Sequence, residues 1–393
     1  MPNNNDDIFQ QLVESTKKQF SKKFSGSETK FTLAKDEKPP TGMIVNNPLL
    51  EYILDRRYMA YGRFYLIYGK KGSCKTSLFY DIAKMFQKNN GKVIWLETEN
   101  AVDLDYAKLQ GVDLGNILLQ HPTSLEEALN LAEMYIRNLS KIDPEGQMPI
   151  LICLDSIAGS VTEYEQDSGN DITSAMPGIH ARLLSRFYRE MDHPLANERC
   201  VFLALNQQKH KIGGFGFGEQ ISMIGGEAPL FSSTYQWKMD KIADLKGVNE
   251  HGAERKYGST HQITCPRNKL GREGTSQKIK FDLYIKGGID WYTPLVETVA
   301  ENYSGLISKS GTKHRWKIPG MTYIDSAGNT VPIDTEQDYK EKDMATIIAN
   351  SDQAKEAIRT VFEIPPLPPS EELAEVEKER LVRRKKTKED KTL

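Results

Sequence analysis

The stretch Tyr65-Leu66-Ile67-Tyr68-Gly69-Lys70-Lys71-Gly72-Ser73-Cys74-Lys75-Thr76-Ser77 constrains the fold more than any other part of this chain. A β-prone apolar run breaks into a Gly-containing loop that closes on Lys-Thr-Ser. An apolar segment with helical spacing, residues 78–86, follows. Strand, loop and helix in that order form the context of a phosphate-binding P-loop. Its converging backbone N–H groups and the positive end of the helix dipole hold an anion. On this pattern residues Gly69, Lys70, Lys71, Gly72, Ser73, Cys74, Lys75, Thr76 and Ser77 cradle a nucleotide, with Lys75 reaching the β/γ-phosphates and Thr76 holding Mg²⁺. Cys74 stands where the pattern asks for Gly.

The neighbouring sequence supplies the rest of an α/β layer. Apolar strand-like runs at 93–96, 117–119, 149–156 and 200–205 alternate with helical segments at 103–110, 124–139 and 179–191. Strands that are apolar at every position predict a mostly parallel sheet covered by helices on both faces. Further strands are expected at 235–242, 261–265 and 279–285, giving a core over 41–293. Residues 294–364 read as a small C-terminal α+β domain, ending in a helix near 353–362. Residues 1–40 read as an amphipathic helix with Ile8, Leu12, Phe20 and Phe24 on its apolar stripe, followed by a linker. Residues 365–393 form a Pro-rich exit and a tail, acidic then basic, expected as an exposed helix or a disordered segment. Residues 209–226 hold six glycines without periodicity and interrupt the core.

Composition narrows the class. Hydrophobic content of 38% and charged content of 27% suit a soluble globular protein, and no apolar run is long enough to cross a bilayer. The four cysteines (Cys74, Cys153, Cys200, Cys265) are scattered, with no zinc spacing and no disulfide framework. With an N-terminal segment unlike a secretory signal, a reducing, cytoplasmic setting without membrane attachment is expected. A net charge of −2 leaves nucleic-acid binding open, because the placement of positive charge decides it.

Three groups of polar residues end apolar strands, where α/β sheets gather their ligands. Asp155 closes one such run and suits Mg²⁺, directly or through water. Glu97 and Glu99 close another; strand alternation points both the same way, so spacing alone does not choose which polarises an attacking water. Asn206-Gln207 opens the glycine-rich stretch, either as a phosphate sensor or as a turn signal.

Taken in order over residues 6–362, these features resemble the RecA family of DNA strand-exchange recombinases, especially phage members of the UvsX type. Glu97-Thr98-Glu99-Asn100-Ala101-Val102-Asp103, with Tyr106-Ala107 and Gly111-Val112-Asp113, resembles the segment carrying the family's catalytic Glu. The resemblance assigns that role to Glu99, leaves Glu97 as a supporting acid, and places Tyr106 on adenine with Asp103 beside it. Leu154-Asp155-Ser156 is similar to the Walker B strand. Gln207 with Lys209, His210 and Lys211 resembles the sensor and start of the second DNA-binding loop, and Gly225-Gly226 its end. Arg267-Asn268-Lys269 is similar to the Lys-Asn-Lys that reaches the neighbouring subunit's nucleotide. Residues 164–177 occupy the position of the first DNA-binding loop, and Arg182 and Arg189 match DNA-contacting arginines in the next helix.

The resemblance implies a RecA-like P-loop ATPase core with an N-terminal oligomerisation helix, using ATP and Mg²⁺. It implies a head-to-tail filament on single-stranded DNA that pairs with homologous duplex DNA, and it admits single-strand-binding and mediator proteins as partners. For a phage-encoded chain the compartment would be the host cytoplasm. Two other readings share the P-loop, Glu99 and Asp155: a ring helicase on the same core, and a weakly hydrolysing ATP-dependent DNA-coating protein.

Overall fold

The computed structural model describes residues 4–24, 31, 33–34, 39–167, 178–210, 221–248, 252–272 and 276–389. Among the described residues the centre is a ten-stranded sheet. Its path runs Gly288–Asp290, Gln277–Tyr284, Glu254–Asn268, Tyr235–Val248, Arg63–Gly69, Cys200–His210, Ile150–Asp155, Lys92–Glu97 and Ile117–Gln120, and the tenth strand, Ile221–Met223, pairs with Cys200–His210 off this path. The strands from Tyr235–Val248 to Ile117–Gln120 pair in parallel, and the remaining pairings are antiparallel. The P-loop strand therefore lies at the middle of the sheet.

The all-apolar runs are explained by two cores. Side chains alternate across a strand, so each run feeds both faces. Tyr65, Ile67, Val93, Trp95, Leu151, Cys153, Leu203 and Leu205 enter one apolar cluster beneath helices Pro48–Leu54, Lys75–Lys88 and Tyr292–Asn302. Phe64, Leu66, Ile94, Leu96, Ile152, Leu154, Phe202 and Ala204 enter the other, beneath Leu125–Ile142 and Ile179–Ala196. Full burial of one such side chain contributes about 1.5–3 kcal/mol. Helix starts carry side-chain caps: Ser124 accepts from the Glu127 N–H at 3.0 Å, and Asp103 from the Tyr106 N–H at 2.8 Å.

The antiparallel half extends further than its apolar pattern suggests. Tyr235–Val248 and Glu254–Asn268 form a long hairpin whose outer part is charged and exposed. Beyond the core, helices Tyr292–Asn302, Glu341–Ala349 and Asp352–Val361 combine with the hairpins Ile307–Ser310/Lys313–Trp316 and Thr322–Ile324/Thr330–Pro332. This α+β unit is fastened to helix Pro48–Leu54 by a bidentate pair. Arg359 Nε donates to Glu51 Oε2 at 2.6 Å and Nη2 to Oε1 at 2.8 Å, with both side chains buried.

The two ends of the chain differ. Helix Asn4–Lys23 leaves Ile8, Phe9 and Leu12 at least half exposed among the described residues, as an apolar stripe. Helix Ser370–Glu389 is ordered along the tail, and its Arg380 is buried, donating to the Gly146 carbonyl at 3.0 Å and pairing with Glu377. Among the described residues no helix is long and apolar enough to cross a membrane.

Candidate active site

Parallel register brings the polar strand ends to one rim. Gly69 pairs with Gln207, and Glu97 with Asp155. The P-loop helix Lys75–Lys88 starts at this rim after Gly72 and Cys74, both in the left-handed region at φ +79° and +68°. Lys75 Nζ folds onto the carbonyls of Gly69 at 3.4 Å and Lys70 at 3.1 Å. Burial lowers its pKa, while Asp155 and Glu99 pull it back up. Ser73 Oγ is buried without a hydrogen-bond partner among the described residues. An ammonium resting on loop carbonyls and an orphaned hydroxyl fit a loop shaped for an anion.

Thr76 Oγ1 donates to Asp155 Oδ2 at 3.2 Å, so the two candidate Mg²⁺ ligands already touch. Burial, reinforced by the Glu99 charge, raises the Asp155 carboxyl to about 7, against the Thr76 hydrogen bond. A divalent cation there would restore its ionised form. Among the described residues no cluster of three His, Cys, Asp or Glu could hold a metal alone. The Thr76–Asp155 pair suits Mg²⁺, which takes one or two protein ligands together with substrate phosphates.

The two acids after Lys92–Glu97 have different surroundings. The strand stops at Glu97, so alternation does not carry on to Glu99 as spacing suggested. Glu97 is buried and accepts from the N–H groups of Glu99, Asn100 and Ala101 and from His121 Nδ1. Glu99 is exposed at the rim. Its Oε1 accepts from Gln207 Nε2 at 3.2 Å and from the Ser156 hydroxyl. The following loop approaches so closely that a Cβ on Gly159 would lie 2.4 Å from Glu99 Cγ. Ser156, Gly159 and His121 were not marked by their spacing, because each acquires its place from a different strand end.

Beside this rim, Asp103 caps helix Leu104–Leu109, and the Tyr106 hydroxyl is hydrogen-bonded to Ser77 while burial raises its pKa. Tyr106 thus meets the first turn of the P-loop helix, with Asp103 at the cap beside it.

Asn206 and Gln207 divide their work. Asn206 is fully buried and donates to the Ile224 carbonyl at 2.9 Å, fastening the return strand Ile221–Met223. Gln207 faces Glu99. Lys209 and His210 end the strand Cys200–His210, while Lys211 and most of the expected first loop, 168–177, lie outside the described residues. Gly225 and Gly226 adopt φ +85° and +69° against the first turns of helix Ile179–Ala196, where Cβ atoms would meet Leu184 and Ala181. Arg182 and Arg189 are exposed on that helix, two turns apart and on one face.

Arg267 and Lys269 are not brought to this rim. Asn268 pairs with Tyr235, and Tyr235 with Tyr65, so they lie where the parallel strands begin. That is four residues, or about 13 Å, below Gly69 along the strand. Lys269 Nζ donates to the carbonyls of Phe231 at 2.7 Å and Ser232 at 3.1 Å.

The chain matches the family model of the RecA N-terminal domain over residues 11–290. It is 30% identical over 250 residues to Protein RecA of Geobacter sulfurreducens, covering 64% of this chain and 68% of that protein. It is 29% identical over 251 residues to Protein RecA of Nitratidesulfovibrio vulgaris, covering 64% and 65%. Against Protein RecA of Frankia alni it is 29% identical over 287 residues, covering 73% and 77%. The chain thus spans about two thirds to three quarters of the length of these relatives. With its P-loop strand at the middle of a sheet that is parallel on one side, covered by helices on both faces, this chain belongs to the RecA family.

Proposed function

We infer that this protein is an ATP-dependent DNA recombinase that assembles head-to-tail on single-stranded DNA and exchanges strands with homologous duplex. The observation that carries the reading is the contact of Glu99 with Gln207, which joins the acid at the P-loop rim to the base of the glycine-rich hairpin. Lys75 holds the transferred phosphoryl group, and Glu99 takes the proton of the attacking water as it adds in line. Thr76 and Asp155, directly or through water, would hold Mg²⁺, which would supply positive charge against the phosphates. Tyr106 stacks on the base, with Asp103 beside it.

Arg267 and Lys269 act on a neighbour's nucleotide, which is consistent with their distance from the P-loop of their own protomer. The exposed stripe of Ile8, Phe9 and Leu12 packs on the next protomer, giving a heterologous, non-closing assembly. Arg182, Arg189, Lys209, His210 and Lys211, with the Gly225-Gly226 turn, line the DNA side and grip backbone, leaving sequence selection to base pairing. Cys74 in the loop and the basic end of the tail support placing the chain with phage members, working in host cytoplasm with single-strand-binding and mediator proteins.

ATP turnover measured with and without single-stranded DNA tests the reading. A DNA-stimulated rate that Glu99→Gln abolishes supports it. A rate indifferent to DNA, or retained in Glu99→Gln, overturns it.

A further inference from the structure

Glu97 uses all its acceptor capacity inside the protein. Oε1 accepts from the Glu99 N–H at 2.9 Å and the Ala101 N–H at 3.3 Å. Oε2 accepts from the Asn100 N–H at 3.0 Å and meets His121 Nδ1 at 3.0 Å. A carboxylate offers about four lone-pair sites, so Glu97 has none left for water or phosphate. Its side chain instead wraps the backbone of 99–101, where Asn100 takes a left-handed φ of +51°. The loop that presents Glu99 is therefore shaped by a neighbouring carboxylate rather than by packing.

His121 is the only side chain seen on that carboxylate among the described residues. It follows the edge strand Ile117–Gln120 and is exposed on one side, in a cleft of about 370 Å³ shared with Asn100, Ser160 and Gln166. Because Glu97 is an acceptor on every other contact, Nδ1 donates. The same strand end is tied to the helix Glu163–Gln166. The Gln166 side-chain amide donates to the Thr123 carbonyl, the Leu125 N–H to the Val161 carbonyl at 2.7 Å, and the Glu163 N–H to Glu126 Oε2 at 3.1 Å.

We propose that Glu97 and His121 are positioning residues that hold the Glu99 carboxylate in its reactive place, opposite the tether made by Gln207. Glu99 is then held from two sides: by Gln207 at the base of the glycine-rich hairpin, and by Glu97 and His121 against the segment that helix Glu163–Gln166 braces. Neither positioning residue touches the nucleotide. This rests on the assignment of Glu99 as the group that activates water.

The test is steady-state ATP turnover on single-stranded DNA, read as kcat and KM separately, for His121→Ala, His121→Asn, Glu97→Gln, the Glu97→Gln/His121→Ala double variant and Glu99→Gln. His121 is half-exposed, so His121→Ala keeps the fold and its unfolding temperature. Misplacing a catalytic group by a fraction of an ångström should lower kcat about tenfold in His121→Ala, with KM for ATP within about twofold of wild type. His121→Asn, whose Nδ2 occupies the branch position of the imidazole Nδ1 and can donate to Oε2, should recover most of that loss. The double variant should be no slower than Glu97→Gln alone, because the pair acts as a unit. Wild-type kcat in His121→Ala beside an inactive Glu99→Gln overturns the proposal while leaving the Glu99 assignment standing. So does a loss in His121→Ala that tracks a fall in unfolding temperature and is not rescued by Asn. Turnover retained in Glu99→Gln overturns the assignment itself, and this proposal with it.

Discussion

Cys74 Sγ lies 2.9 Å from His261 Nε2, and this contact holds the P-loop position where a glycine is expected. Cys74 sits at φ +68°, a conformation that costs a non-Gly residue about 1–3 kcal/mol unless its surroundings enforce it. Burial pushes the thiol up to about 12, so it stays an S–H beside the imidazole. Ser259 Oγ also reaches Nε2 at 2.8 Å, and His261 stacks on Phe281. Cys74→Gly should therefore keep nucleotide binding near wild type. Cys74→Val places a β-branched residue at positive φ and should weaken binding of an ATP analogue about tenfold or more, corresponding to at least about 1.4 kcal/mol. Titration with a fluorescent nucleotide measures both, and equal affinities in the two variants would remove the strain argument.

The same histidine predicts an acid sensitivity. His261 is fully buried, its Nδ1 has no partner among the described residues, and burial with the nearby Lys241 and Lys256 charges lowers its pKa to about 4. Between that value and the unfolded value near about 6.5 the unfolded chain binds the extra proton, so stability rises with pH in this window. The contribution is present above about pH 6.5 and is lost as the pH falls toward about 4, by on the order of 2–3 kcal/mol. In urea unfolding of the nucleotide-free protein at pH 7.5 and 5, His261→Gln should lose less stability than wild type on acidification. An identical loss in both would contradict this.

How much of this was open to sequence reading depended on the range of the cause. The P-loop, the all-apolar strands and the caps at Asp103 and Ser124 are written locally, by alternation and by single polar residues at helix starts. The outer hairpin of Tyr235–Val248 and Glu254–Asn268 was underestimated because its exposed part is polar on both faces, which erases the period-two signal. The helix Glu341–Ala349 was missed, since only Met344, Ala345, Ile347 and Ile348 face inward. Glu97 and Glu99 looked alike because what separates them is the left-handed turn at Asn100 and a histidine from another strand. His261 behind Cys74 is 187 residues away in the chain, and no spacing rule reaches that far.

The attachment of the C-terminal unit rests on a buried charge pair. Arg359→Ala would leave Glu51 buried without its partner and should destabilise the protein by about 3–5 kcal/mol in chemical denaturation. Replacing both, with Glu51→Leu and Arg359→Met, should bring stability back near wild type or above it. If the double replacement is as unstable as the single one, the penalty does not come from the orphaned carboxylate.

A site shared between protomers predicts complementation. Lys269 lies far from the P-loop of its own chain, so Lys269→Ala and Glu99→Gln damage opposite sides of an interface. Each should be nearly inactive alone. In an equal, randomly assembled mixture about a quarter of the interfaces are intact in both parts, and about a quarter of the turnover should return. A mixture no more active than its components would place Lys269 outside the site.

Strand exchange tests the central claim most directly. Wild-type protein, ATP, Mg²⁺ and a circular single strand are mixed with linear duplex, and the joint molecules are followed on a gel. The account predicts joint molecules with homologous duplex, none with heterologous duplex, and none with Lys75→Ala. Absence of joint molecules with homologous duplex, together with unwinding of a tailed duplex regardless of homology, would contradict it.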